Sequence, residues 1–161
     1  RLFGGRGADV LSGGANFDFV DGGRGADIME GGADADAVSF GRSSAGVLVD
    51  LTQASARGAG RDAVRGFESI YGSPRRDRLI GTSQANSIWG LGGDDVIEGL
   101  GGWDALRGQS GSDAVAGGHG ADVVRGAGGR DLLVGGRGID SLAGGAGRDR
   151  CIGGEDLGGC S

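Results

Sequence analysis

Aspartate recurs at nine-residue intervals through the second half of the chain, at Asp95, Asp104, Asp113, Asp122, Asp131, Asp140 and Asp149. Two carboxylates about 4 Å apart repel by roughly 1 kcal/mol in water and about 4 kcal/mol at a partly screened surface. A row of them held at fixed spacing therefore calls for a cation between neighbours. Carboxylates and turn carbonyls offer only oxygen, which suits a hard cation, and calcium accepts six to eight such ligands in flexible geometry. Other chemistry is poorly represented. His119 is the only histidine and has no second His or Cys ligand near it, so it reads as a solvated surface residue. No HExxH, GxSxG or comparable pairing of nucleophile and base occurs, and the chain is read as no enzyme.

The elements that carry these carboxylates are clearest in residues 117–152, GGHGADVVR GAGGRDLLV GGRGIDSLA GGAGRDRCI. Each nine-residue unit has Gly in its first and fourth places, Asp in its sixth and an apolar residue in its eighth. Glycine enters positive φ without steric cost, so six residues fold back sharply around a concavity of carbonyls. The last three are extended, with the middle side chain pointing inward. One inward residue cannot surround a core, so two units must face each other in an eighteen-residue coil that stacks on the next. Asp122 and Asp140, eighteen apart, then become neighbours in adjacent coils. The expected fold is all-β, a parallel β-roll, that is, a right-handed β-helix-like solenoid of stacked 18-residue coils.

In the first repeat block, residues 1–39, Arg1, Leu2 and Phe3 read as places seven to nine of a unit, with Leu2 inward, and four units follow with inward Leu11, Val20, Met29 and Val38; Asn16 and Asp34 replace Gly in fourth places, where they tolerate the left-handed conformation. Residues 40–71 break the period. They hold one longer strand around Val47, Val49 and Leu51, one degenerate unit with Asp62 and Val64 in place, and GFESIY. We read them as a larger coil joining the blocks into one continuous solenoid, against the alternative of a linker. Ten units are read from Gly72 to Ser161, with inward Leu79, Ile88, Ile97, Leu106, Val115, Val124, Leu133, Leu142, Cys151 and Cys160.

These units resemble the repeats-in-toxin (RTX) nonapeptide, the hemolysin-type calcium-binding repeat written GGxGxDxUx. GVLVDL followed by VRGFESIYGS is similar to segments joining such arrays in the C-terminal repeat regions of serralysin-type secreted metalloproteases. The resemblance implies several calcium ions, each between sixth-place carboxylates eighteen residues apart. It pairs Asp9 with Asp27 and Asp18 with Asp36. It runs Asp77, Asp95, Asp113, Asp131 and Asp149 along one edge, and Asn86, Asp104, Asp122 and Asp140 along the other. Arg75 and Gln84 stand in fourth places where the turn wants Gly, and Asn86 brings no charge, so the sites they share are expected to be weak or empty. Gly158 stands where the last unit wants Asp. The implied role is a secreted, extracellular module that folds on calcium and serves as a structural or carrier part of a larger parent protein. The alternatives are a carbohydrate-binding module, or the non-catalytic C-terminal tail of a secreted hydrolase.

Composition narrows the partners. The net charge of −6 argues against nucleic acid, whose phosphates need a basic surface. No run of eighteen apolar residues and no charged-then-apolar leader occurs, so no membrane span or signal peptide is read here. With 41 Gly, a disordered chain fits the composition, yet disorder would not keep an apolar residue in every eighth place. Burial of one Val or Leu per nine ordered residues is too little to fold such a coil, so binding and folding are expected to be one event.

Three further expectations concern the surface and the end of the rod. Secretion favours a disulfide between Cys151 and Cys160 over two buried thiols, with the terminal coil pinched to allow it. Trp89, Arg107 and Arg125 should stack as a cation–π ladder, the alternative being a site for an acidic polysaccharide with Trp103 nearby. Val96, Ala114, Leu132, Ala116, Val134 and Ile152 should form one outward apolar face, expected to dock on the parent protein or on a second copy.

Overall fold

The computed structural model describes residues 1–156 and 158–160, so Ser161, the end of the last repeat block, lies outside the described residues. The first block gives β1 (Leu2–Arg6), β2 (Val10–Gly14), β3 (Phe19–Arg24), β4 (Ile28–Gly32) and β5 (Ala37–Ser39). The irregular stretch gives β6 (Leu48–Asp50), β7 (Ser55–Arg57), β8 (Arg61–Arg65) and β9 (Ser69–Tyr71). The second block gives β10 (Arg78–Ile80), β11 (Ser87–Gly92), β12 (Val96–Gly101), β13 (Ala105–Ser110) and β14 (Ala114–His119). It continues with β15 (Val123–Gly129), β16 (Leu132–Arg137), β17 (Ser141–Gly147), β18 (Arg150–Ile152) and β19 (Glu155–Asp156).

Strands alternate between two sheets. The first runs β1-β3-β5-β9-β11-β13-β15-β17-β19, and the second runs β18-β16-β14-β12-β10-β6-β7-β8-β4-β2. Pairing in the repeats is parallel with an eighteen-residue register, so Leu106 lies beside Val124 and Val124 beside Leu142, while Val115 lies beside Ile97 and Leu133. Each eighth-place side chain meets one above, one below and one from the facing sheet. From Val20 to Leu142 these residues are buried in a single core cluster, whereas Leu2 and Leu11, in the first coil, are only partly covered. The fold is the all-β, parallel solenoid of eighteen-residue coils that the spacing implies.

The period lapses in an asymmetric way. In the first sheet β5 neighbours β9 directly, but in the second sheet β8, β7 and β6 lie between β4 and β10. From β5 the chain crosses to β6, which pairs with β10, then walks back through antiparallel β7 to β8, which pairs with β4. Phe40, Val47, Val49, Ala56, Val64, Phe67 and Ile70 of this stretch join the same core cluster as the repeats. The added width takes the only two phenylalanines in that core, Phe40 and Phe67.

The tenth unit departs from the expected register. Leu142 lies beside Asp156 and not beside Cys160, so the last strand of the first sheet arrives four residues early. The chain then returns, and Cys160 bridges to Asp149, the residue just before β18. There it forms the disulfide with Cys151, with the Cα atoms 5.6 Å apart. The bond is thus made by early closure of the coil and not by pinching of two sheets.

The outer faces carry the remaining expected features. Tyr71, Trp89, Arg107 and Arg125 stand in register on the first sheet. The Tyr71 and Trp89 rings stack with centroids 4.4 Å apart, Phe19 lies 5.4 Å from Tyr71, and the Arg107 guanidinium lies over Trp89 at 5.5 Å. Tyr71 and Arg107 come from the strands on either side of β11, so both faces of the indole are covered. The ladder leaves no indole face for a sugar ring. Trp103 is exposed. On the second sheet Val96, Ala114 and Leu132 are in register, as are Ala116, Val134 and Ile152, with Leu132 and Ile152 exposed. Glu98 at the upper border pairs with Arg78 at 2.7 Å.

Candidate metal centre

The turn that presents each carboxylate uses glycine for two reasons. First-place glycines other than Gly153 have ordinary φ but no room. A Cβ at Gly99 would stand 2.7 Å from the Gly117 carbonyl oxygen and run into the Asp104 carboxylate. The same holds at Gly126, where the neighbours are the Asp131 carboxylate and the Gly144 carbonyl. Positive φ is needed at the second and fourth places instead, as at Gly118 and Gly120. Asn16 and Asp34 adopt it in their fourth places, at 70° and 72°. Leu91, Leu100, Gln109 and Ala127 adopt it in second places, at 78° to 85°, with a strain of roughly 1–2 kcal/mol each.

Sixth-place residues form two columns, one along each edge. Their rungs are hydrogen bonds: the backbone N–H of Asp95 donates to Asp113 Oδ1 at 2.9 Å, Asp113 to Asp131 at 2.9 Å, and Asp131 to Asp149 at 2.9 Å. Asp77 donates likewise to Asp95, and Asp9 to Asp27. Along the other edge Asp18 donates to Asp36, Asn86 to Asp104, Asp104 to Asp122 and Asp122 to Asp140. Every expected pair is therefore brought together. The contact within a pair is N–H to carboxylate, made through Oδ1 of the acceptor.

That second oxygen is the decisive feature. Oδ2 of Asp9, Asp36, Asp95, Asp104, Asp113, Asp122 and Asp131 is buried with no hydrogen-bond partner. Leaving a buried acceptor unsatisfied costs about 1–3 kcal/mol, and more when it is charged. Burial pushes the Asp95 carboxyl up to about 7, helped by the charges of Asp77, Asp113 and Asp94. Burial likewise pushes Asp104 and Asp113 up to about 6, and raises Asp122 and Asp131. A cation at the same oxygens reverses this logic and keeps the carboxylates charged. Near Oδ2 of Asp95, Asp104, Asp122 and Asp131 stands the first-place carbonyl of the next coil, from Gly108, Gly117, Gly135 and Gly144 respectively. The donor set is all oxygen and part main chain, which fits a hard divalent cation.

Residues 3–38, 71–102, 98–133 and 125–156 each match the RTX calcium-binding nonapeptide repeat. The chain belongs to the RTX calcium-binding repeat family. Its metal is calcium, bound at several places along the repeats. No curated protein matches the chain. The unmatched stretch, 39–70, is the one in which the solenoid inserts β6, β7 and β8.

Among the described residues no three His, Cys, Asp or Glu side chains converge. Two RTX units close their turns differently. Asp77 Oδ2 accepts the Ser73 N–H at 2.5 Å and Oδ1 accepts the Ser73 hydroxyl at 2.7 Å and the Val47 N–H at 2.8 Å. Asn86 Oδ1 accepts the Thr82 N–H at 2.7 Å and its hydroxyl at 3.2 Å, while Nδ2 donates to the Glu68 carbonyl. Neither side chain has an oxygen to spare. Arg75 and Gln84, in the fourth places of these units, do not adopt positive φ.

Two column residues escape sequence reasoning as site candidates. Asp62 accepts the Asp27 N–H at 3.0 Å, and Glu68 accepts the Asp36 N–H at 2.9 Å. Counting back from Gly72 puts Glu68 in a sixth place, which is the signal that could have found it.

Proposed function

We propose that this chain is the calcium-dependent structural module of a secreted protein, unfolded where calcium is scarce and folded outside the cell. The calcium is held along the two columns by Asp9, Asp18, Asp27, Asp36, Asp77, Asp95, Asp104, Asp113, Asp122, Asp131, Asp140 and Asp149, with turn carbonyls completing each shell. The strongest sites lie in the long block. Asp77 contributes least, because its oxygens are already engaged by Ser73 and Val47. The observation that carries this reading is the row of buried, unpartnered Oδ2 atoms. Extracellular calcium modules work near 10⁻⁴ to 10⁻³ M, which matches a switch between compartments. The Cys151–Cys160 disulfide supports an oxidising destination.

The test is a calcium titration followed by far-ultraviolet circular dichroism. The chain is expected to lose most of its strand signal in chelator and to regain it cooperatively at millimolar calcium. Asp113→Asn and Asp122→Asn, each between two neighbours in its column, should lower the cooperativity more than Asp9→Asn. Full strand signal in chelator would refute the proposal.

A further inference from the structure

In a regular solenoid each coil is covered by the next at the strand spacing of about 4.8 Å. Where this chain leaves the repeat, the loops at 40–44 and 58–59 overhang the turns of the first two coils and enclose a cavity of about 430 Å³. That is the size of a small-molecule site. Its wall includes Arg6, Arg24, Arg42, Asp21, Phe3 and Ser44.

The charges are arranged in two groups. Arg6 and Arg24 are register partners in β1 and β3, so their guanidiniums rise from adjacent strands, and neither forms an ion pair with the described residues. Asp21 is buried, and its Oδ1 accepts the Gly23 N–H at 3.0 Å. The Arg42 guanidinium lies 4.4 Å over the Phe3 ring, with Nε 3.8 Å from Asp21 Oδ2. Two unpaired guanidiniums on one rung match the two oxygens of a carboxylate. A buried carboxylate in the same wall repels a bare anion but accepts from hydroxyl donors. A ligand satisfying both has an acid group and hydroxyls on one compact frame.

We propose that this cavity binds a sugar acid, with the ligand carboxylate on Arg6 and Arg24 and its hydroxyls donating to Asp21. The site is separate from the aromatic ladder, and it does not depend on which aspartates hold calcium. It needs only the folded chain, which circular dichroism at millimolar calcium verifies independently.

Isothermal titration calorimetry tests this with glucuronate, a trimeric polyuronate, glucose and inorganic phosphate, all at millimolar calcium. Glucuronate should bind at least tenfold more tightly than glucose or phosphate. Arg6→Gln with Arg24→Gln should weaken uronate at least tenfold while leaving the calcium midpoint of folding unchanged. Third places elsewhere carry Ala15 and Ala33, so the turn does not need arginine. Asp21→Asn keeps an acceptor for Gly23 and should reduce the preference for uronate over phosphate at least fivefold; if it misfolds, the exposed Arg42→Gln should weaken uronate severalfold instead. Tighter binding of the trimer than of the single residue identifies a polysaccharide as the source, and equal binding identifies a free acid. Phosphate binding as tightly as uronate, no uronate heat, or an unchanged double variant would overturn the assignment.

Discussion

From Gly72 to Trp89 the turns are closed by the protein's own hydrogen bonds, whereas from Gly90 onward they are left open for a cation. The cores of the two stretches are alike: Leu79 and Ile88 are as fully buried as Ile97 and Leu106, and the register is the same. The turns differ. Ser73 and Thr82, in second places, aim both a backbone N–H and a hydroxyl at the sixth-place oxygens, and these two turns form without positive φ at either special place. In the following units that second place holds Leu91, Leu100 or Gln109 in the left-handed conformation, and Oδ2 of Asp95, Asp104 and Asp113 is unpartnered. On the proposed reading, dependence on calcium is therefore expected to be a property of the turn and not of the core. The closed turns adjoin β6 to β9, whose Val49, Ile70 and Phe67 belong to the same core cluster, so on the proposed reading a stretch that stands without metal is expected between two that need it.

The largest effect should come from filling the space that an open turn reserves. In Gly108→Ala the new methyl would meet the Asp113 carboxylate, with its Cγ only 2.6 Å away. Overpacking of this kind typically costs about 1–3 kcal/mol, and here it also disturbs the site, so calcium should fail to fold the coils around it. Gly41→Ala, whose nearest neighbours stand at 3.6 Å, should leave the calcium midpoint and urea stability within experimental error. Equal behaviour of the two variants would erase the distinction.

Removing a closing hydroxyl should have an intermediate effect. Ser73→Ala takes one partner from Asp77 and should lower urea stability by about 1–3 kcal/mol even at saturating calcium. An unchanged urea midpoint would mean that the hydroxyl does not close the turn.

Protons should have the smallest effect. Folding without metal raises Asp95 to about 7, and Asp104 and Asp113 to about 6, above their ordinary value of 3.8. The folded state therefore holds protons that the unfolded state releases, and its stability falls as pH rises through 6 to 7. In chelator, acidification from pH 8 to 5 should restore part of the strand signal. No change, or a loss, would contradict the burial of these carboxyls.

The sequence made the repeats legible because each place has one physical task. The eighth-place residues point inward, and the sixth-place residues form columns. The β6 to β8 meander was not legible, because its backward order depends on which sheet edges β4 and β10 leave unpaired. Second-place strain was hidden by the tolerance of Leu91, Leu100, Gln109 and Ala127 for a conformation expected of glycine. Glu68 was missed because its unit keeps only the fourth-place glycine, Gly66, has Ala63 where the first Gly belongs, and has Glu where the pattern wants Asp. The register of the last coil was missed because a disulfide, and not the repeat, decides where Cys160 lies.

Hydrogen exchange read by mass spectrometry, with and without chelator, tests the central claim most directly. At millimolar calcium both stretches should be protected. In chelator the amides of residues 95–147 should exchange at least tenfold faster than those of residues 47–89. Protection of 95–147 that survives chelation, or loss of protection that is uniform along the chain, would contradict the account.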